Sequence, residues 1–149
     1  MSVDRGFVDE NAKSRARLKD LVARLSDADL ARSMPAEWTV AGVLGHVAFW
    51  DQRTLVLLDA WERTNAVAPR LRAEDTDWIN DAGKPFFLAL PPRQGADVAL
   101  AIAEAVDRKI ETLTDEVVTR IAAAGHPINV HRAEHRREHL DEIEAALRR

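Results

Sequence analysis

Apolar residues recur every three or four positions along nearly the whole chain, which is the spacing of helices that bury one face. Short β-like runs, such as the Val-Leu-Leu of residues 56–58, lie inside longer helical patterns. The chain has 149 residues, the usual length of one domain. We therefore predict a single all-α domain over residues 1–149.

Four long helices explain most of this periodicity. We expect the first over about residues 7–25, the second from an N-cap at Thr39 to about residue 62, and the third over about residues 96–113. The fourth should begin at about residues 127–129, where Pro127 suits a first turn, and continue to the C-terminus.

The segment between the second and third helices should be a long crossover. Residues 65–95 contain four of the six prolines and two of the six glycines, which disfavours a continuous helix. We expect one short helix there, over about residues 75–80, with Trp78 and Ile79 as its anchors. Phe86 and Phe87 should then pack on the bundle.

Composition excludes several classes of function. Because the chain has no cysteine, it has neither a catalytic thiol nor thiolate metal ligands, and thiol chemistry would require an external thiol. The net charge of -4 disfavours binding to nucleic acid or to an anionic membrane. No apolar run approaches the roughly 18 residues of a membrane span, and the first residues lack a secretory pattern. We expect a soluble, cytoplasmic protein.

The fourth helix carries an unusual set of polar residues. At 100° per residue, and with His135 at zero, His139 falls at about 40°, Glu142 at about -20° and His131 at about -40°, so all four share one face. That face borders the apolar stripe. A lone histidine there would most often be an ordinary hydrogen-bonded imidazole, but burying several without partners costs roughly 1 to 3 kcal/mol each.

A divalent metal ion would satisfy these imidazoles. Two histidines one helical turn apart can bind one ion, and a ligand from another helix would leave an open position for water or substrate. His46 is the only histidine outside the C-terminal quarter, and it follows Gly42 and Gly45 in an apolar run that must be buried. We therefore predict that His46, His135 and His139 hold a divalent metal.

The same residues resemble a known family. Trp38-Thr39-Val40, Leu44-Gly45-His46-Val47 and Trp50-Asp51, followed downstream by His131-x3-His135-x3-His139, are similar to the DinB-like superfamily, which includes bacillithiol transferases and mycothiol-dependent maleylpyruvate isomerases. The resemblance covers nearly the whole chain. It implies an antiparallel four-helix bundle with a long crossover between helices two and three, a homodimer, and zinc or nickel on His46, His135 and His139.

Several neighbouring residues are candidates for roles around this metal. Glu138 or Glu142 would be the general base, although Glu142 could instead support a ligand or add a weak fourth one. Many relatives carry an Arg-Gly-Gln stretch where this chain has residues 140–142. His131 and Trp50 should orient the site or line its mouth. Arg132 and Arg136 fall in the apolar sector, so they either extend outward to solvent, which is favoured, or one of them lines the pocket and binds an anionic substrate.

Two functions therefore remain open. The first is a metal-dependent enzyme acting on a small molecule, in which the ion activates water or an external low-molecular-weight thiol, giving a hydrolase or an S-transferase. The second is a non-catalytic, dimeric metal-binding bundle with a structural or stress-related role. The sequence leaves the substrate and the physiological metal undetermined.

Overall fold

The all-α class is confirmed by the computed structural model, which describes residues 3–66 and 69–149. Those residues form seven α-helices and one two-stranded antiparallel sheet. None of these helices is long and apolar enough to cross a membrane. The elements, in chain order, are α1 (Gly6–Arg24), α2 (Asp27–Leu30), β1 (Ser33–Met34), β2 (Trp38–Thr39), α3 (Val40–Thr64), α4 (Ala73–Ala89), α5 (Pro92–Thr112), α6 (Asp115–Ala123) and α7 (Arg132–Leu147).

The four long helices α1, α3, α5 and α7 form the bundle. Each of α1 and α3 packs against both α5 and α7. Arg15 of α1 bonds Asp107 of α5, whereas Arg93 near the start of α5 bonds the carbonyl of Leu25, so α1 and α5 run antiparallel. The pair α3 and α7 is antiparallel as well. His46 contacts His139 of α7, whereas Asp51, which is later in α3, bonds Arg132, which is earlier in α7.

The other two contacts in the bundle are between parallel helices. Ala41 of α3 lies beside Gly95 of α5, and Glu62 lies beside Lys109, so α3 and α5 run in the same direction. The chain must therefore return along the bundle between them, which is why a crossover is needed. The helix α4 makes most of this return, packed against α3.

The length predicted for the crossover helix was wrong. We expected residues 75–80, whereas α4 spans 17 residues and includes Pro85 within it. Trp78, one of its expected anchors, is 59% exposed. Phe87 packs on α3 as expected, together with Leu88, whereas Phe86 is 75% exposed. Packing against α3 holds the helix together across the proline, a tertiary effect that local propensity does not include.

Two helix starts also differ from the prediction. The helix α5 begins at Pro92 because proline lacks only an N–H that the first turn does not use. The helix α7 begins at Arg132 and not at residues 127–129. The side chain of Asn129 accepts the N–H of His131, which holds a turn there, and the Asn11 side chain accepts the N–H of Ala133 in the first turn of α7.

A layer of buried polar side chains separates two apolar clusters of the core. One cluster includes Leu18, Leu44 and Ile143, and the other includes Phe7, Leu58 and Ile110. Between them, every helix of the bundle contributes polar groups. We call this set the polar layer: Asn11, Ser14, Asp51, Asp107, Arg132 and Arg136.

The contact between α3 and α4 gives the first prediction. A Cβ placed on Gly45 would lie 3.3 Å from the Cβ of Phe87, which cannot move without shifting α4. Valine forms helices more readily than glycine, so propensity alone predicts that Gly45→Val stabilises the protein. We expect the opposite, a loss of about 1–3 kcal/mol in unfolding free energy from overpacking, measured by urea denaturation.

Gln52→Val is the matched control, because Gln52 is exposed on the same helix. It introduces the same β-branched side chain without a neighbour to displace, and it should change stability by about 0.5 kcal/mol or less. Equal unfolding free energies for Gly45→Val and the wild type would show that α4 is not packed tightly on α3.

Candidate metal centre

His46 is carried to the centre of the bundle by the first two turns of α3. The Thr39 hydroxyl accepts the N–H of Gly42 at 3.0 Å and so caps the helix, as predicted. Gly42 and Gly45 allow α4 to approach closely, because Leu88 and Phe87 occupy the space that their side chains would fill. The rings of Trp38 and Phe87 then contact the His46 imidazole by their edges. His46 is consequently 8% exposed.

The three histidines predicted as ligands converge. The Nε2 atom of His135 lies 3.2 Å from Nε2 of His46 and 3.1 Å from Nε2 of His139. Ligand nitrogens of all three lie within 4.8 Å of one another. Two nitrogens bound tetrahedrally at 2.0–2.1 Å from zinc are about 3.3 Å apart, and the two separations from His135 match this value.

The hydrogen-bonding pattern also fits a metal. The Nε2 atom of His135 faces two other ring nitrogens, and its single possible proton cannot satisfy both contacts fully. The Nδ1 atoms of His46 and His135 are buried without a hydrogen-bond partner among the described residues. An ion that accepts all three Nε2 lone pairs removes the conflict at the centre.

Burial keeps two of these imidazoles neutral. Desolvation, and secondly the charge of His139, lower the pKa of His46 to about 4. Desolvation lowers the pKa of His135 to about 2, with further contributions from His139, Arg132, His46 and Arg136. Because a metal binds only the unprotonated nitrogen, both residues are in the binding form at neutral pH.

The third histidine is oriented by Glu142. The Nδ1 atom of His139 lies 2.9 Å from Oε2 of Glu142. An ionised carboxylate only accepts hydrogen bonds, so this contact places the ring proton on Nδ1 and leaves the Nε2 lone pair facing His46 and His135. Glu142 therefore orients a candidate ligand, one of the three roles expected of it.

The three histidines form part of the wall of a cavity of about 880 Å³. Glu138, Glu142 and Trp50 line the same cavity, so three of the neighbouring residues expected at the site lie there. The Trp50 indole N–H donates to Asn80 of α4 at 2.8 Å and ties α3 to α4 at the cavity wall. Further lining comes from residues absent from the prediction, namely Thr76, Asp77, Asn80, Asp81 and Lys84 of α4.

The prediction for Arg132 and Arg136 was wrong in its favoured form, because neither side chain extends to solvent. Arg136 is 1% exposed and bonds both oxygens of Asp107 and one of Asp51. It does not line the cavity, which corrects its expected place in the pocket. Arg132 donates to Asp51 at 2.7 Å and does line the cavity. Asp51 and Asp107 were not predicted as site residues. The ion pairs of these two buried acids account for the burial of both arginines.

The predicted position of His131, at the site or its mouth, was wrong as well. Its φ and ψ of -83° and 72° lie outside the helical region, so the angular phase of α7 does not extend to it. Its ring packs on Phe7 with a centroid distance of 5.2 Å, and it lines a different cavity beside the N-terminus of α1. His131 therefore has no contact with the three converging histidines.

Comparison with known proteins identifies the family of this chain. A family model of the DinB superfamily matches residues 10–143, which is most of the chain and includes all three histidines. The protein belongs to the DinB superfamily. The resemblance noted in the sequence is thereby confirmed, and the three-histidine group of this DinB protein lies inside the matched region. Comparison with curated proteins and with solved structures finds no match.

Proposed function

We propose that this DinB protein is a divalent-metal-dependent enzyme acting on a small molecule, of hydrolase or thiol S-transferase type. The observation that carries the proposal is the convergence of three Nε2 atoms from α3 and α7 on one side of a large cavity. Zinc or nickel is the proposed metal, since imidazole ligands suit both. For S-transfer, the thiol is an external low-molecular-weight one, because the chain has no cysteine.

The protein's own groups divide the remaining work. His46, His135 and His139 would hold the divalent metal, which when bound would lower the pKa of a water or of a thiol in the cavity. Glu138 is exposed on the cavity wall and makes no hydrogen bond within residues 3–66 and 69–149, so it is free to accept the proton released. Glu142 keeps His139 in its binding orientation.

The test is an activity screen of the purified protein with zinc, nickel and manganese against ester and thiol-transfer substrates. His139→Ala should abolish any activity found, and Glu138→Gln should lower kcat by about 10²–10⁴-fold. His131→Ala is the matched control, because that histidine directly precedes α7 and lies outside the cavity. Activity unchanged in His139→Ala would contradict the proposal.

A second function is supported by the exposed apolar surface. Several large apolar side chains of α3, α4 and α5 are at least 37% exposed, which favours a homodimer. A dimeric bundle in which the ion acts only as a clasp between α3 and α7 would show metal-dependent thermal stability without turnover. Light scattering tests the dimer. The exposed apolar side chains are Phe49, Val56, Trp78, Phe86, Leu88, Leu90 and Val98.

A further inference from the structure

A network of arginines and aspartates lies beside the three histidines. Arg15, Arg132 and Arg136 share the carboxylates of Asp51 and Asp107. Both oxygens of Asp51 and both oxygens of Asp107 are already occupied by these three guanidinium groups. Arg15 pairs with Asp107 from outside the polar layer, with its side chain 29% exposed, so three cations in all share these two anions.

A fourth cation increases this imbalance. Arg53 stacks over the Trp50 ring, with its guanidinium carbon 5.5 Å from the ring centroid, and it forms no ion pair within the described part of the chain. Burial, and secondly the charge of Arg132, lower the pKa of Arg53, which shows that the two guanidinium groups lie near each other. Arg132 and Arg136 are the buried arginines of this group, and a buried cation is costly unless its guanidinium is paired.

Arg132 is the member of this group that can reach a ligand. Its side chain is 7% exposed and lines the cavity together with His135. Its Nε donates to Asp51, its Nη1 contacts the carbonyl of Asn129 at 3.4 Å, and its Nη2 has no partner among the described residues. Arg136, in contrast, uses all of its guanidinium nitrogens within the protein.

We propose that Arg132 binds a carboxylate group of the substrate and holds it beside His46, His135 and His139. The proposal rests on the proposed function for the identity of the site and adds a class of substrate to it. The acidic residues that line the cavity, among them Asp77 and Glu138, form no ion pair with Arg132 in the described residues, so its free edge is open to an external carboxylate. Charge-assisted hydrogen bonds of this kind are the strong ones.

The experiment is a calorimetric titration of chelator-treated, metal-free protein with benzoate and with benzamide. The two probes have nearly the same shape and differ in charge. Benzoate should bind at least about tenfold more tightly than benzamide, and added salt should weaken only benzoate. Equal affinities, or no binding of benzoate, would overturn the proposal.

Variants test whether Arg132 is the residue that binds benzoate. Arg132→Lys keeps a positive charge against Asp51 but removes the planar fork, and it should reduce the preference for benzoate; Arg132→Met should abolish it. Arg137→Met is the control, since Arg137 is exposed on the same helix and pairs with Glu10 outside the cavity. If Arg132→Met does not fold, the preference for benzoate in Arg132→Lys, compared with that of the wild type, still tests the role of Arg132. A preference for benzoate that survives in Arg132→Lys and in a folded Arg132→Met would reject this residue.

The titration separates this proposal from the metal-dependent function. It contains no metal, so failure of the protein to bind zinc would remove the proposed enzyme and leave the anion site standing. Conversely, normal zinc binding with no preference for benzoate would leave the metal centre standing and remove the role of Arg132.

Discussion

Replacing His135 with alanine should lower the affinity of the protein for Zn²⁺ by about 100-fold or more. His135 is the central member of the group, because its Nε2 lies 3.2 Å and 3.1 Å from the Nε2 atoms of the other two histidines. The variant keeps one ligand on α3 and one on α7, too few for a stable site. Competition titration with a chromophoric chelator measures the change.

Thermal melting provides a second readout of the same prediction. Ligand that binds only the folded state adds about 2.7 kcal/mol to stability when present at 100 times its Kd. The wild type should therefore melt at a higher temperature with zinc than without it, and His135→Ala should lose this difference. His131→Ala should retain it, since His131 lies in another cavity. Wild-type zinc stoichiometry and affinity in His135→Ala would disprove the three-histidine site.

The three candidate metal ligands could be predicted from sequence because the position of each depends on local information. Helical periodicity places His135 and His139 on one face of α7, and an apolar run places His46 in the core. One further histidine was then sufficient to complete the group. The same periodicity failed for His131, because side chains from elsewhere determine where α7 begins, including Asn11, which is 122 residues from Ala133.

The rest of the site depends on partners that are distant in sequence. The helical phase put Arg132 and Arg136 in the apolar sector, and we expected them to extend to solvent, whereas both pair with buried acids. The signal for those acids was present, since Asp51 follows an apolar run and Asp107 lies between Val106 and Ile110. No local pattern could pair them with arginines 81 and 29 residues away. The wall from α4 was missed because its helix depends on packing against α3.

Asp51→Ala should destabilise the protein by about 3–5 kcal/mol, the largest loss expected here from one side chain. Asp51 is 0% exposed and accepts hydrogen bonds from Arg132 at 2.7 Å and from Arg136 at 3.1 Å. Its removal leaves Arg132 without its only carboxylate in the described residues and leaves two buried arginines facing one buried aspartate. Urea denaturation of the metal-free protein measures the loss.

Asp141→Ala provides the matched comparison, because Asp141 also pairs across helices with an arginine, Arg17, but its side chain is 71% exposed. Solvent screening limits such a pair to about 0–1 kcal/mol, so the two aspartates should differ several-fold in effect. Asp51→Asn keeps the shape of the side chain and removes its charge, and its cost should fall between the two. Losses of equal size for Asp51→Ala and Asp141→Ala would mean that water reaches the polar layer, and the charge argument that assigns Arg132 to a substrate carboxylate would then lose its basis.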